Sequence, residues 1–304
     1  MKALIIGAAG FVGGNLINQL KGWDIHATKL PHETTPISYV PFYDLDVSDK
    51  SCINSLLDEI QPDVIFHLAA QSSVALSWKN PALTVDVNIK GSLNLLEGVK
   101  FARKPPRVLL VGSGEEYGPV DPLEGRISET RALHPGNIYA VTKAAQGMLG
   151  QIYAKAYGLD ILVIRAFNHT GPGQTDQFVI SNFCRQVANI KAGFHPPEMK
   201  VGNLEARRDF CDVRDVVRAY QLLAERGKSG EVYNVGSGKE ISIQEALDLI
   251  ISISGTKVTI TQDPERMRPS DAPIIVADIS KLISHTGWMP QIPIEKTIAD
   301  MLGQ

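Results

Sequence analysis

The sequence has little cysteine, no long apolar run and almost no net charge, and each shortage removes a class of protein. Cys52, Cys184 and Cys211 are odd in number, widely spaced and never form a Cys-x-x-Cys pair. That pattern argues against a disulfide framework and for free thiols in a reducing compartment. No apolar run reaches the ~18 residues that a membrane span needs. Residues 1–6 open like a signal peptide, but Gly7, Gly10, Gly13 and Gly14 break the run at once, as a strand and turn would. A formal net charge of −3 supplies no electrostatic reason to expect nucleic acid or an anionic membrane as partner. The seven histidines are scattered and no His-Glu-x-x-His occurs, so no metal centre is expected. A soluble cytoplasmic protein is the resulting expectation.

What is present is a chain of 304 residues, 44% hydrophobic and 21% charged, enough for one large or two modest domains with a sizeable core. Apolar stretches at residues 3–6, 24–30, 39–42, 64–70, 108–111 and 161–165 alternate with helix-forming runs at 14–20, 48–60, 81–100 and 136–157. Ser48 is placed to cap the second of these helices. The alternation predicts an α/β fold, a Rossmann-type doubly wound parallel sheet covered on both faces. Past Phe167 the pattern fades into a loop at 168–174, a helix at 178–193, a short strand at 199–201, a helix at 213–226 and a strand at 232–236. A helix at 242–254 follows, opened by Ser242 with Glu245 three residues on, a capping box. The expected division is a nucleotide-binding domain over 1–167, with a returning segment near 209–236. Residues 168–208 and 237–304 would form a smaller C-terminal substrate-binding domain.

The first strand ends in Gly7-Ala8-Ala9-Gly10-Phe11-Val12-Gly13. A strand, a glycine turn and a helix N-terminus make a phosphate cradle: Gly7 for the tight turn, Gly10 for approach to a pyrophosphate, Gly13 for close helix packing. An ordinary glycine-rich connection has the same wording; the place after the first strand is what points to a dinucleotide. At the end of the second strand such a fold often carries a carboxylate for the ribose, whereas here the chain reads Ala27-Thr28-Lys29. Lys29 could accept a 2′-phosphate, which favours NADP(H) with NAD(H) as the alternative, or could simply sit in solvent.

Tyr139 and Lys143 are four residues apart in a helical run, so phenol and ammonium lie on one face. A cation beside a phenol lowers its pKa toward neutrality and suits it to exchange a proton with an alcohol or ketone. The same spacing also occurs on plain solvated helices. Ser113 lies at the end of one strand and Asn88 inside one helix, positions that equally suit a turn cap and a buried amide bonded to backbone.

Taken in order, the Gly7 turn, Asn88, Ser113 and the Tyr139/Lys143 pair make the chain resemble the extended short-chain dehydrogenase/reductase family of nucleotide-sugar enzymes, nearly end to end. The resemblance implies that Ser113, before Tyr117-Gly118, bonds the reacting sugar oxygen and that Tyr139 is the acid/base. Lys143 would hold the nicotinamide ribose and depress the tyrosine pKa, with Asn88 supporting through water. Asp46 and Val47 would meet the adenine, and Leu68, Ala69 and Ala70 would flank the cofactor beside Phe11 and Val12.

The second half is most similar to the GDP-mannose branch, in Phe167-Asn168-His169-Thr170-Gly171-Pro172-Gly173-Gln174, Gly202-Asn203-Leu204-Glu205-Ala206, Arg208-Asp209-Phe210 and Arg268-Pro269-Ser270-Asp271. That likeness implies substrate contacts from Asn168 and His169, diphosphate contacts from Arg208 and Arg268, with Lys191 as a further phosphate ligand. Asn203 and Leu204 would meet the guanine and Asp271 the guanosine ribose. Arg207 could instead form surface ion pairs with Glu205 and Asp209.

Dehydratases of that branch carry Thr, then Asp or Ser, then Glu before the Tyr-Gly; here the loop reads Ser113-Gly114-Glu115. Glu115 stands where their base stands, but Gly114 offers no side chain to assist loss of water. The activity implied is therefore reduction of the C4 ketone of GDP-4-dehydro-6-deoxy-D-mannose to GDP-D-rhamnose by NAD(P)H, with Tyr139 as proton donor. A GDP-mannose 4,6-dehydratase using Glu115 is the alternative, followed by a 4-epimerase and a non-catalytic nucleotide sensor. Homodimerisation through the helices at 81–100 and 136–157 is also implied.

Overall fold

Apolar residues at every position of a strand have nowhere to face but two cores, and the central strands meet that demand. In β4 (Val64–His67), Val64 and Phe66 enter one core while Ile65 enters the other. In β1 (Lys2–Ile6), Ala3 and Ile5 face the first core, Leu4 and Ile6 the second. This period-two division holds a helical layer on each face of the sheet. Each fully buried leucine or isoleucine contributes about 1.5–3 kcal/mol. The computed structural model describes residues 1–121, 123, 125–266 and 272–303.

With β2 (Asp24–Lys29), β3 (Phe42–Asp44), β5 (Arg107–Ser113), β6 (Ile161–Ala166) and the strand Val232–Val235, the two make a seven-stranded sheet. Its order is Val232–Val235, β6, β5, β4, β1, β2, β3, and every pairing is parallel. The chain runs outward from β1 to β3 and then crosses to β4 on the other side of β1. That reversal opens a crevice beyond the carboxyl ends of β1 and β4, where open α/β sheets bind ligands. Helices α1 (Phe11–Gln19) and α8 (Val213–Arg226) cover one face, α2 (Lys50–Ile60), α5 (Gly91–Phe101) and α6 (Ile138–Tyr157) the other.

Several elements depart from expectation for identifiable reasons. The third strand lies at Phe42–Asp44, paired with Ala27, Thr28 and Lys29, not at 39–42. Tyr39 points its ring to solvent, bonded to Asn18, and Pro41 has no N–H to give a ladder. Asp49, not Ser48, caps α2: its carboxylate accepts from the Ser51 and Cys52 amides, and these bonds with the Ser51 and Cys52 side chains hold its pKa down to about 2. The helix expected over 81–100 is interrupted. After α3 (Val74–Lys79) come α4 (Pro81–Val85) and a single π turn, Asp86–Lys90, before α5 begins. No glycine or internal proline marks that turn, so apolar spacing alone does not reveal it.

The smaller second region has its own core of α7 (Val179–Lys191), α9 (Ile243–Ser254) and α11 (Ile294–Met301). Short strands complete it: Glu198–Val201 pairs with Thr259–Gln262, and Arg207–Arg208 lies between Ile241–Ser242 and Ile274–Ile275. The capping box of Ser242 and Glu245 is present. The stretch 237–304 is divided between the two cores rather than belonging to one. Helix α10 (Ser280–Thr286) packs on the first region, and Trp288 is buried there with its indole N–H on the Asp215 carbonyl. The three cysteines are free thiols. Among the described residues no helix is long and apolar enough to cross a membrane, and none of the side chains cluster as a metal site would.

Candidate active site

The crevice at the sheet's carboxyl edge is a cleft of about 1270 Å³. Pockets for single small ligands run to roughly 300–1,000 Å³, so this one has room for two ligands end to end. One end is floored by the glycine turn. Gly7 has φ +84°, and a Cβ there would lie 2.7 Å from the Ala69 backbone; a Cβ on Gly13 would come within 2.5 Å of Ala8. Thr28 fixes the turn from β2, its hydroxyl accepting the Gly7 amide at 3.1 Å and its carbonyl the Ala8 amide at 2.8 Å. Gly10 begins α1 without any side-chain cap, leaving the first amides of the helix directed at the cleft. The turn thus suits a pyrophosphate.

Gly7, Gly10, Phe11, Val12, Gly13, Lys29, Asp46, Val47, Leu68, Ala69 and Ala70 all line this end. The Tyr220 hydroxyl, on α8, is a buried group in the same wall with no protein partner, as expected of an atom that meets a ligand. These residues fit a dinucleotide. Lys29 is paired with Asp44 rather than extended into solvent.

The reactive groups sit where the two ends meet. Ser113 ends β5 and caps a 3₁₀ turn over Gly114–Tyr117, its hydroxyl accepting the Glu115 amide at 3.2 Å. The Tyr139 phenol lies beside the same hydroxyl, and both line the cleft. Tyr139 and Lys143 share the inward face of α6, which Asn137 caps by accepting the Ala140 amide. The ammonium of Lys143, however, donates to the Val111 carbonyl (2.7 Å) and to Gln146 Oε1 (3.0 Å). The expected lowering of the phenol by Lys143 is therefore not what the geometry produces. Burial dominates and pushes the Tyr139 pKa above its ordinary value, opposed by the Ser113 hydroxyl. Burial likewise draws Lys143 down to about 8, with the Glu116 carboxylate opposing it. A phenol that keeps its proton at neutral pH is suited to donate it.

Asn88 lies in the π turn and does not line the cleft. Its side chain is bonded wholly to protein: Oδ1 accepts the Gln71 amide, and Nδ2 donates to the Gln71 carbonyl and to Thr142 Oγ1. Thr142 in turn donates to the Tyr139 carbonyl. Asn88 thus clamps α6 in place through side-chain bonds; its implied role was through water.

His169 lines the cleft beside Phe11 of the glycine-turn end, not with the sugar-end residues; at the other end Asn168, Asn203 and Arg208 line it, with Glu115 near the reactive groups. His169 stacks on Phe11 with ring centroids 6.4 Å apart, and burial lowers its pKa. Asn137 donates to Glu115 Oε2 at 3.2 Å, turning that carboxylate toward α6. Arg208 is buried, donating to the carbonyls of Arg207 and Ala272. Asp209 does not pair with it: its carboxylate accepts from Ser237, Gly238 and Ala277 instead. Arg207 does form surface ion pairs, but with Glu240 and Glu245 in place of the expected Glu205 and Asp209.

Two candidates lie elsewhere. Lys191 ends α7 with its ammonium on the Ser254 carbonyl, and Leu204 packs against the second core. Neither lines the cleft. Arg268 and Asp271 fall outside the described residues.

Sequence reasoning passed over Thr28, Tyr220, Trp78 and Arg266, all of which line the cleft. Arg266 reaches Asn182 on α7, and its carbonyl packs so closely on Gly202 that a Cβ there would lie at 2.6 Å. A glycine beside Asn203 was the available signal for that approach. Glu116 was passed over too, though it is wholly buried under the catalytic turn.

A family described as GDP-mannose 4,6 dehydratase matches residues 4–301. The GDP-6-deoxy-D-mannose reductase of Pseudomonas aeruginosa is 36% identical over 301 residues, covering 99% of this chain and 96% of that protein. The GDP-mannose 4,6-dehydratase of Yersinia enterocolitica is 29% identical over 350 residues, 99% of this chain and 92% of that one. The solved structure of RMD from Pseudomonas aeruginosa complexed with NADPH superposes with a TM-score of 0.88 at 34% identity, covering 100% of this chain and 98% of that one.

Proposed function

We propose that this chain, which belongs to the GDP-mannose 4,6-dehydratase family, is a GDP-6-deoxy-D-mannose reductase that converts the C4 ketone of GDP-4-dehydro-6-deoxy-D-mannose to the alcohol of GDP-D-rhamnose. The observation that carries this reading is the Ser113 hydroxyl beside the Tyr139 phenol, which burial holds protonated, set between a dinucleotide turn and an arginine-bearing pocket. Reduced NADP, as bound by the similar RMD structure, supplies the hydride, with NADH the alternative. Tyr139 donates its proton to the developing alkoxide, and Ser113 stabilises the same oxygen. Lys143, on the same inward face of α6 and lining the cleft, holds the nicotinamide ribose. Arg208, its guanidinium oriented by two carbonyls, holds the diphosphate remote from the reaction, so that binding energy there fixes the ketone at Tyr139. Product analysis with the 4-keto sugar and NADPH tests the reading; a pure protein that leaves that ketone unreduced would overturn it.

The dehydratase reading is favoured by one observation, the Glu115 carboxylate held beside Tyr139 by Asn137. Against it, Gly114 offers no side chain to assist loss of water, and a Cβ there would press the Phe167 ring at 3.1 Å, so the ring would have to give. Incubation with GDP-mannose and no added reductant separates the two, since only a dehydratase accumulates the 4-keto sugar.

A homodimer and a cytoplasmic location belong to the same proposal. Val141, Met148 and Ile152 form one exposed apolar face of α6, with Val85 of α4 exposed as well. A second copy of the chain, packed helix to helix, would cover that face. A monomer by light scattering would count against it. The free thiols support the location, which cell fractionation would test.

A further inference from the structure

One buried carboxylate close to the reactive groups has no part in the reaction as described. Glu116 follows Glu115 in the 3₁₀ turn, yet the two side chains part company. Glu115 faces the cleft, whereas Glu116 is turned inward and is 0% exposed. A lone buried carboxylate is strongly unfavourable, and such groups persist only where several partners receive them. Here Oε1 accepts the Ser113 amide at 2.7 Å and Oε2 accepts Arg165 Nε at 3.0 Å. Arg165 is itself braced by the Tyr117 hydroxyl at 2.9 Å and the Glu129 carbonyl at 3.3 Å. Tyr117 passes its own proton to Asn234 on the edge strand.

The surrounding backbone is shaped to this carboxylate. A Cβ on Gly112 would lie 2.2 Å from Glu116 Oε1, and one on Gly147 would lie 3.8 Å from Oε2. The carboxylate therefore occupies a slot between the end of β5 and the helix that bears Tyr139 and Lys143. An ordinary structural ion pair would need no backbone contact with the catalytic serine. This one has it, and its other oxygen lies against α6 at Gly147, one turn beyond Lys143.

We propose that Glu116 is a positioning residue of the reaction, resting on the reductase reading: its carboxylate holds the Ser113 backbone from below and sets a charge against α6 one turn from Lys143. The groups that bear on the Lys143 ammonium are few. Glu116 comes from the 3₁₀ turn, with Arg165 of β6 on its far side, and His67 comes from β4. Tyr139 and Gln146 belong to its own helix. Burial holds His67 neutral down to about 3, so it contributes no charge at working pH. Burial raises the pKa of Glu116 itself, opposed by Arg165 and the Ser113 amide. Glu116 is the carboxylate whose field raises Lys143 against the burial that lowers it.

Two substitutions separate the two duties. Glu116→Gln keeps the shape and an acceptor for Ser113 but removes the charge. The alkaline limb of the kcat profile should then move down by about one pH unit. Glu116→Asp keeps the charge but shortens the reach. It should leave that limb in place and lower kcat about tenfold with the KM for the keto sugar unchanged. The pH dependence of Lys143 acylation by a small reagent, read by mass spectrometry on substrate-free protein, gives the charge effect without any turnover. Its midpoint should fall in Glu116→Gln by the same amount. This keeps the inference testable even if the wild-type protein fails to reduce the ketone. A wild-type midpoint in Glu116→Gln, or wild-type kcat in Glu116→Asp with only a lowered Tm, would reduce Glu116 to a strut. Should Glu116→Gln not fold, Glu116→Asp decides alone on its kcat.

Discussion

The floor and the roof of the cleft are built on different principles. On the floor, Ser113, Tyr139 and Lys143 are almost wholly buried, each placed by the end of a sheet strand or by the one long helix packed against it. Their neighbours are backbone carbonyls and buried side chains that leave little freedom. On the roof, the contacts come from two- and three-stranded sheets and connecting loops, and Asn168 is exposed. Chemistry needs groups fixed to within a fraction of an ångström, which a doubly wound sheet supplies. Choice among nucleotide sugars needs a surface that varies without disturbing the chemistry, and short strands and loops supply that. The two halves should therefore fail in different ways when altered.

The largest effect should come from the floor. Tyr139→Phe should lower kcat by about 10²–10⁴-fold while GDP-sugar affinity, read by calorimetry, stays within a factor of a few. A loss of affinity as large as the loss of rate would erase the distinction. Next in size is the roof change Arg208→Met. It should raise KM for the keto sugar by about 10–100-fold with kcat changed far less, as expected on losing charge-assisted bonds to a diphosphate. A kcat collapse at unchanged KM would place Arg208 on the floor instead. Gly114→Ser tests the packing of the boundary: pressed on the Phe167 ring, it should lower stability by about 1–3 kcal/mol, seen as a lower Tm. The smallest effect should be that of Lys29→Ala, a fall of a few-fold in NADPH preference over NADH, because Asp44 already engages the ammonium.

The floor was also the part that could be read from the chain. Glycines at fixed spacing after a strand, and a tyrosine four residues before a lysine, are local patterns set by helix and turn geometry. The shared buried face of Tyr139 and Lys143 on α6 and the Gly7 approach to Ala69 express those patterns directly. What could not be read depends on partners distant in sequence. Lys191 looked like a phosphate ligand because of its charge, but the nearest acceptor is a carbonyl on α9. Lys143 looked like a neighbour for the phenol, but Val111, at the end of β5, accepts its proton first. Glu115 and Glu116 are adjacent and identical in composition; only the slot left by Gly112 and Gly147 tells which one is buried. The roof arginine Arg208 was legible as a motif, while its orientation by the Ala272 carbonyl was not.

The π turn at Asp86–Lys90 has a consequence for how the molecule is geared. One extra residue in a helix advances every later side chain by about 100° around the axis. Before the slip, Leu83 and Val85 look outward; after it, Leu95, Leu96 and Val99 look into the sheet. Asn88, at the slip itself, points at α6 and holds Thr142 there. Deleting a single residue such as Val87 would restore an unbroken spiral and rotate one of these three sets out of phase with the others. The outward apolar face and the grip on the Tyr139 helix are thus cut on the same shaft, and neither can be turned without turning the other.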